Sequence, residues 1–250
     1  MIFKQLFEPD SCTYTYLIGC RDSGVAALID PVLETAERDL STINSMGLKL
    51  EFTVDTHIHA DHLSGAKRLK SLAGSKICYP AMDQLQCADI GLLEGKPLNI
   101  GNISLHPLFT PGHTDNHHAY LINTPNGSSI FTGDALLINA VGRTDFQSGN
   151  PETLFKSIHQ KFFTLPDETL VYPGHDYENR CVSSISQEKR KNPFIGNGIS
   201  KEDFITKMNE LQLPSPRKID FAVPGNQLCG ECPKNIPDEF NGACAKHDQG

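Results

Sequence analysis

Short apolar runs that stop at Gly, Pro or Asp recur along the chain, and apolar residues spaced at helical intervals fall between them. Residues 1–8 read as a first strand. Residues 25–29 form a buried strand that halts at Asp30-Pro31. Over residues 33–46 the spacing of Leu33, Ala36, Leu40 and Ile43 predicts a helix, and Gly47 marks its end. Residues 52–55 are strand-like. Residues 62–72 predict a helix with Leu63, Ala66, Leu69 and Leu72 inward and Lys67, Arg68 and Lys70 outward. Residues 76–79, 103–108, 119–122, 129–131 and 169–172 read as strands, with Asn126-Gly127 as a hairpin turn. Further helices are expected over 151–163, opened by Pro151, and over 178–191 and 201–211. Past Pro214 the chain reads as loop-rich, with a poorly ordered end. The pattern is two strand-rich halves with interspersed helices, a mixed α/β chain without internal repeats.

At 250 residues the chain is long enough for one large domain with a substantial core. A net charge of −8 argues against a general nucleic-acid binder, which needs a basic face. The Lys189-Arg190-Lys191 run reads as a solvated helix end. No apolar run approaches the roughly 20 residues that span a membrane. The N-terminus lacks the basic start and apolar core of a signal peptide. A cytoplasmic location is therefore expected, with the eight cysteines mostly reduced. Cys229-Gly230-Glu231-Cys232, with Cys244 nearby, is a lone CxxC and reads as reduced thiols in a loose tail rather than a metal or redox pair.

The chemistry concentrates in Thr56-His57-Ile58-His59-Ala60-Asp61-His62, three imidazoles and a carboxylate packed behind a strand end. Imidazole nitrogen and carboxylate oxygen suit zinc, iron and similar divalent ions. More such groups follow in order: His113 after Pro111-Gly112, Asp134 after Thr132-Gly133, and His175 after Pro173-Gly174. Each comes after an apolar β-like run, so four strand ends are expected to converge on one metal site.

This ordered set resembles the metallo-β-lactamase superfamily, whose pattern His-x-His-x-Asp-His, distal His, bridging Asp and final His is filled at all seven positions. The resemblance implies an αββα sandwich of two mixed β-sheets with helices on the outer faces. Two chemistries are open on these ligands. In a dinuclear zinc hydrolase of the glyoxalase II type, His57, His59 and His113 would hold one ion, Asp61, His62 and His175 the other, and Asp134 would bridge. In a mononuclear Fe(II) dioxygenase only His57, His113 and Asp134 would bind, leaving positions for substrate and O₂.

Several segments resemble the persulfide dioxygenases: Gly142-Arg143-Thr144-Asp145-Phe146-Gln147, the run from Phe163 to Tyr177, and Lys218-Ile219-Asp220-Phe221-Ala222-Val223-Pro224. The chain lacks room for the longer helical C-terminal domain of glyoxalase II. That resemblance spans about residues 3–229. It implies a catalytic domain over 1–229 and a flexible Cys-containing tail over 230–250. It also implies oxidation of glutathione persulfide to sulfite and glutathione with O₂, water and one Fe(II), and a homodimer as the expected assembly.

On this reading His59, Asp61, His62 and His175 orient ligands and water, or else hold a second ion. Arg143 either anchors a substrate carboxylate or braces the loop after Asp134. Tyr177 offers a hydroxyl to substrate or packs, and Arg217 is a weaker anionic anchor. Thr132 is expected to hold the Asp134 loop through a backbone bond. His117 and His118 read as rim or surface residues. One departure from the family is Ala140-Val141, where many members carry Gly-Cys; it bears on pocket shape and removes no ligand.

Overall fold

The computed structural model describes residues 1–245. The first sheet holds β1 (Ile2–Glu8), β2 (Thr13–Cys20), β3 (Val25–Ile29), β4 (Lys49–Val54), β5 (Lys76–Pro80) and β6 (Ile90–Leu92), in that order. Its first three strands are antiparallel, and β3 to β6 pair in parallel. The second sheet holds β7 (Leu98–Ile100), β8 (Ile103–Phe109), β9 (His118–Thr124), β10 (Gly127–Gly133), β11 (Leu170–Pro173) and β12 (Ser183–Ser184), running spatially from β12 to β7. Only β10 and β11 are parallel there.

Alternation of side chains places each strand in two layers at once. Along β2, Tyr14, Tyr16 and Ile18 enter the core between the sheets, while Leu17 faces outward. Outside the first sheet lie α1 (Ala36–Ser45) and α2 (Ala66–Ala73), with Ile43 and Leu69 packed near Leu17, Leu28 and Leu50. Outside the second lie α3 (Pro151–Ser157), which widens into a π turn over Ile158–Phe162, α4 (Ile185–Lys191) and α5 (Lys201–Asn209). Leu154, Ile158, Phe162, Ile185 and Phe204 meet Ile130 and Val171 there. The expected αββα sandwich is the observed fold.

Two of three local differences have visible causes. The helix expected from residue 62 begins at Ala66, because the segment before Gly65 is committed to the site. The helix expected from 178 begins at Ile185. Asp176 Oδ2 accepts the N–H of Glu178 at 3.0 Å and of Arg180 at 2.6 Å, which holds a loop there. Ser184 then caps α4 by accepting from Gln187 N. Beyond Pro214, where loop was expected, α6 (Ile219–Asn226) forms with Pro224 inside it, and a last short helix, α7, spans Gly242–Ala245.

The loose-tail expectation fails for residues 230–245. Ile236 and Cys244 are buried against Leu33, Leu63, Phe221 and Ala222. Cys87 is bonded to Cys229 and Cys232 to Cys244, so four of the cysteines expected to be reduced are paired. Cys12, Cys20, Cys78 and Cys181 are free. The apolar residues scattered through the tail find a ready partner face on α6, which is why the segment packs. Residues 246–250 of the expected tail lie outside the described residues.

Candidate metal centre

Strand ends deliver the site. Asp30 follows β3, residues 55–62 follow β4, and His113, Asp134 and His175 follow β8, β10 and β11. Parallel pairing of β3 with β4 and of β10 with β11 sets those ends side by side. Backbone ties join the two sheets: Tyr14 N donates to Gly174 O at 2.8 Å, and His118 N to Thr56 O at 2.9 Å. Crowding here demands glycine. Gly133 has φ of 49°, and a Cβ there would lie 2.6 Å from His117 Nε2. At Gly174 it would lie 2.4 Å from Asp134 Oδ1.

His57, His113 and Asp134 each place a ligand atom within 4.8 Å of the other two. Both imidazoles have Nδ1 occupied: His57 by Thr56 Oγ1 at 2.9 Å, His113 by donation to Arg143 O at 2.8 Å. Nε2 of each remains for a ligand role. His113 Nε2 lies 3.5 Å from Asp134 Oδ2. Asp134 Oδ1 is buried without a hydrogen-bond partner, a deficit that a cation would satisfy. Burial, reinforced by the neighbouring imidazoles of His59 and His113, holds His57 well below the ordinary histidine range. Neutral imidazole is the form that ligates. The donor set therefore fits one divalent ion bound by two histidines and a carboxylate, with positions left open.

Behind this trio sits a fully buried support. Asp30 Oδ1 accepts from Thr56 N at 2.7 Å, and its Oδ2 accepts from Thr56 Oγ1 at 3.0 Å. His59 Nε2 lies 3.1 Å from Asp30 Oδ1 and 3.6 Å from Asp55 Oδ1. Burial disfavours the His59 cation, but the Asp30 carboxylate and its hydrogen bond, with Asp55, outweigh that and raise it to about 9. Burial pushes the Asp55 carboxyl up to about 7. Asp30 thus orients His59 directly and His57 through Thr56.

The remaining pattern residues close the other bank. His62 Nδ1 donates to Asp61 Oδ2 at 3.0 Å. His175 Nε2 lies 3.5 Å from Asp61 Oδ2 and 3.4 Å from Asp134 Oδ2, while its Nδ1 donates to Ser11 O at 3.1 Å. Burial works against ionisation of Asp61, yet the His62 and His175 rings hold it well below the usual carboxylate range. His175 is raised: burial opposes the charge, and Asp134 and Asp61 prevail. His59, Asp61 and His62 also offer three ligand atoms within 4.8 Å. All seven pattern residues come together.

A cavity of about 450 Å³ opens over them. His57, Asp61, His113, Asp134 and His175 line it, and His59 and His62 do not. Its other walls are mostly apolar, among them Val141, Phe146, Phe194, Leu213 and Pro214. The departure at Ala140-Val141 forms part of this wall.

Arg143 grips Asp145 through two bonds of 2.7 Å and donates to Pro214 O at 2.7 Å. Its guanidinium stands 4.5 Å over the Phe146 ring, so it braces the loop that roofs the cavity. Tyr177 is exposed at the mouth, its ring parallel to that of His175 at 6.1 Å. Arg217 lies outside this cavity, above Phe240. Thr132 Oγ1 donates to Leu136 O at 2.6 Å and closes the Asp134 turn, as expected.

His117 and His118, expected at the rim or surface, are buried. His117 Nε2 accepts the backbone N–H of Asp134 at 3.2 Å, and its Nδ1 pairs with Thr110 Oγ1 at 2.9 Å. It is a support for Asp134, placed by the β8–β9 turn. Two further supports were not read from the sequence. Asp30 reads along the chain as a strand stop, and the charge that ends its apolar run is the local signal of a further role. Asn226, at the end of α6, donates to His59 O at 2.9 Å and His62 O at 2.8 Å and accepts from Ser64 N at 2.8 Å. No local pattern points to it.

A family model for the metallo-beta-lactamase superfamily matches residues 12–175. The persulfide dioxygenase ETHE1 of Mus musculus mitochondria is 47% identical over 232 residues, 92% of this chain and 89% of that protein. The Homo sapiens counterpart is 45% identical with the same coverage. The crystal structure of ETHE1 from Myxococcus xanthus superposes with a TM-score of 0.88 at 46% identity, covering 92% of this chain and 100% of that one. A hydroxyacylglutathione hydrolase of Nitrosococcus oceani is 32% identical over 75% of this chain and 72% of its own length.

Proposed function

We propose that this chain, which belongs to the metallo-beta-lactamase superfamily and acts as a persulfide dioxygenase, oxidises glutathione persulfide to sulfite and glutathione with O₂ and water at one Fe(II) held by His57, His113 and Asp134. One observation carries the ligand assignment. These three residues all reach the cavity, whereas His59 and His62, which a dinuclear site needs, do not line it. Bound there, iron supplies the redox chemistry that joins O₂ to a persulfide sulfur.

The chain's own residues set the stage for that chemistry. Asp30, acting through Thr56, and the carbonyl of Arg143 fix the two imidazole rings. His117 fixes the Asp134 backbone. His175 and Asp61 face the cavity from the opposite bank, where they can hold a water and pass its proton during release of sulfite. The apolar wall keeps bulk water from the reacting sulfur. Tyr177 offers its hydroxyl at the mouth, and Arg217 serves as a carboxylate anchor beyond it.

A dinuclear zinc thioester hydrolase is the competing reading, favoured by the second ligand group of His59, Asp61 and His62. Metal content of anaerobically purified protein, measured with O₂ uptake on glutathione persulfide, separates the two. About one iron per chain with O₂ uptake is expected. Two zinc ions per chain with thioester hydrolysis and no O₂ uptake would overturn the proposal. It further includes a homodimer, tested by light scattering, and a cytoplasmic location, tested by cell fractionation. No helix of the described residues is long and apolar enough to cross a membrane.

A further inference from the structure

Glu188, on α4, is fully buried, and among the described residues no cation pairs with it. Neutral donors meet its carboxylate instead: Ser183 Oγ, the backbone N–H of Asn139 at 2.9 Å and Asn192 Nδ2 at 2.9 Å. Burying a carboxylate without a cation is costly, and an apolar residue would serve packing better. Glu188 touches no residue of the metal centre, so its place in the fold calls for another reason.

The reason lies in what these donors carry. Asn139 stands in the left-handed region at φ of 55°, in a tight turn that Leu137 N closes by donating to Ala140 O at 3.1 Å. Asn192 Nδ2 donates to the same Ala140 O at 2.9 Å, while its Oδ1 accepts the N–H of Phe194 at 2.9 Å. Asn192 is itself fixed one helical turn after Glu188, its N–H donating to Glu188 O at 3.2 Å. Leu137, Ala140 and Val141 form one part of the apolar wall of the metal cavity, and Phe194 forms another. Glu188 and Asn192 do not line that cavity, yet both parts of its wall are bolted to them.

Resting on the dioxygenase reading above, we infer that Glu188 and Asn192 are positioning residues that set the spacing of these two wall segments, and with it the bulk of carbon that can stand beside the reacting sulfur. Both segments hang from the end of one helix, so their separation does not depend on two independent loops. Leu137, Val141 and Phe194 present no charge, so this part of the wall selects by size and shape. The metal ligands are held by other bonds: His113 by Arg143 O, and the Asp134 backbone by His117. Releasing the clamp therefore weakens substrate binding and leaves the metal in place.

The experiment measures O₂ uptake on glutathione persulfide in wild type, Asn192→Ala, Glu188→Ala and Glu188→Gln, with bound metal determined in each. In both alanine variants KM should rise about tenfold, the low end of what one methylene contact in an apolar pocket is worth, with kcat and metal content nearly constant. Glu188→Gln can turn its amide oxygen to Asn139 and Asn192 and its amide nitrogen to Ser183 Oγ, so it should restore most of the wild-type KM. Val141→Ala should also raise KM, and its combination with Asn192→Ala should cost less than the two penalties together, because both loosen one wall. Ser183→Ala removes only one donor and covers the case in which an alanine variant fails to fold; a rise of about two- to threefold is expected there, the low end of one hydrogen bond. Unchanged KM in every folded variant, a loss carried by kcat alone, or additive penalties with Val141→Ala would overturn the clamp. Amide hydrogen exchange of the same proteins is a readout free of turnover. Faster exchange confined to residues 137–146 and 193–199 supports the clamp even where wild type takes up no O₂ and the dioxygenase reading falls. Unchanged exchange there, or exchange raised throughout the chain, removes the clamp whatever the activity.

Discussion

The front and back of the metal centre use the same residue types for different work. At the front, His57, His113 and Asp134 each have one side tied to the protein and one side free toward a cavity. At the back, Asp30, Asp55 and His59 are buried and turned toward one another. Ligand atoms of these three also lie within 4.8 Å of one another, close enough to surround an ion. Proximity of ligand atoms therefore does not separate a binding face from its support. What separates them is an open side: Asp30 is spent on Thr56 and His59, while His59 Nδ1 and both Asp55 oxygens, although unpaired, are buried away from the cavity.

Breaking the front should abolish chemistry and spare the fold. His113→Ala or Asp134→Ala is expected to reduce bound metal from about one per chain to near zero and O₂ uptake to background. The urea midpoint of the metal-free protein should move little, because both side chains border the cavity. Metal analysis and equilibrium unfolding of the same preparations test this. A variant that keeps its metal would remove that residue from the ligand set.

The back should respond in the opposite sense. Asp30→Asn keeps a residue type that tolerates the left-handed backbone at φ of 49° but removes the charge facing His59. A loss of about 3 kcal/mol is expected, since a buried charge loses its partner. Metal affinity should also fall about 10- to 100-fold, as for other outer supports of metal ligands. Denaturant unfolding and metal competition measure the two. A change in affinity without one in stability would contradict the division between front and back.

Asn226→Ala extends the comparison across the fold. It leaves the carbonyls of His59 and His62 and the N–H of Ser64 unpaired in a buried place. A loss of about 2–3 kcal/mol is expected, with a smaller effect on kcat than on stability. An unchanged unfolding midpoint would show that water replaces the clamp.

Arg143→Lys should be mildest. Lysine cannot reproduce the paired bonds to Asp145 while also reaching Pro214 O. The roof over the cavity should loosen and KM should rise severalfold with metal content constant. A wild-type KM would mean that the loop stands without its brace.

Much of this was legible along the chain because it depends on short-range spacing. Short apolar runs with Gly, Pro or Asp stops located most strands, and the ordered His and Asp pattern located all seven residues that meet at the centre. Reading failed where a side chain's role depends on a partner far away in sequence. His117 read as a rim residue because nothing local shows that Gly133 brings the Asp134 backbone N–H onto its ring. Residues 178–184 carried helical spacing, but Asp176 captured the amides that would have started the helix.

The sequence by itself determined a mixed α/β chain and the chemical identity of the ligands, since periodicity and residue type are local properties, and the layered fold followed from the resemblance that the ligand order carries. Only the tertiary structure decided which of those ligands face a cavity, that Arg143 is a brace, and that the segment past residue 229 packs as a wall. Each of those depends on contacts between positions tens to hundreds of residues apart. Cys87 with Cys229, or Asn226 with His59, are brought together by the folded core and not by any pattern in the chain.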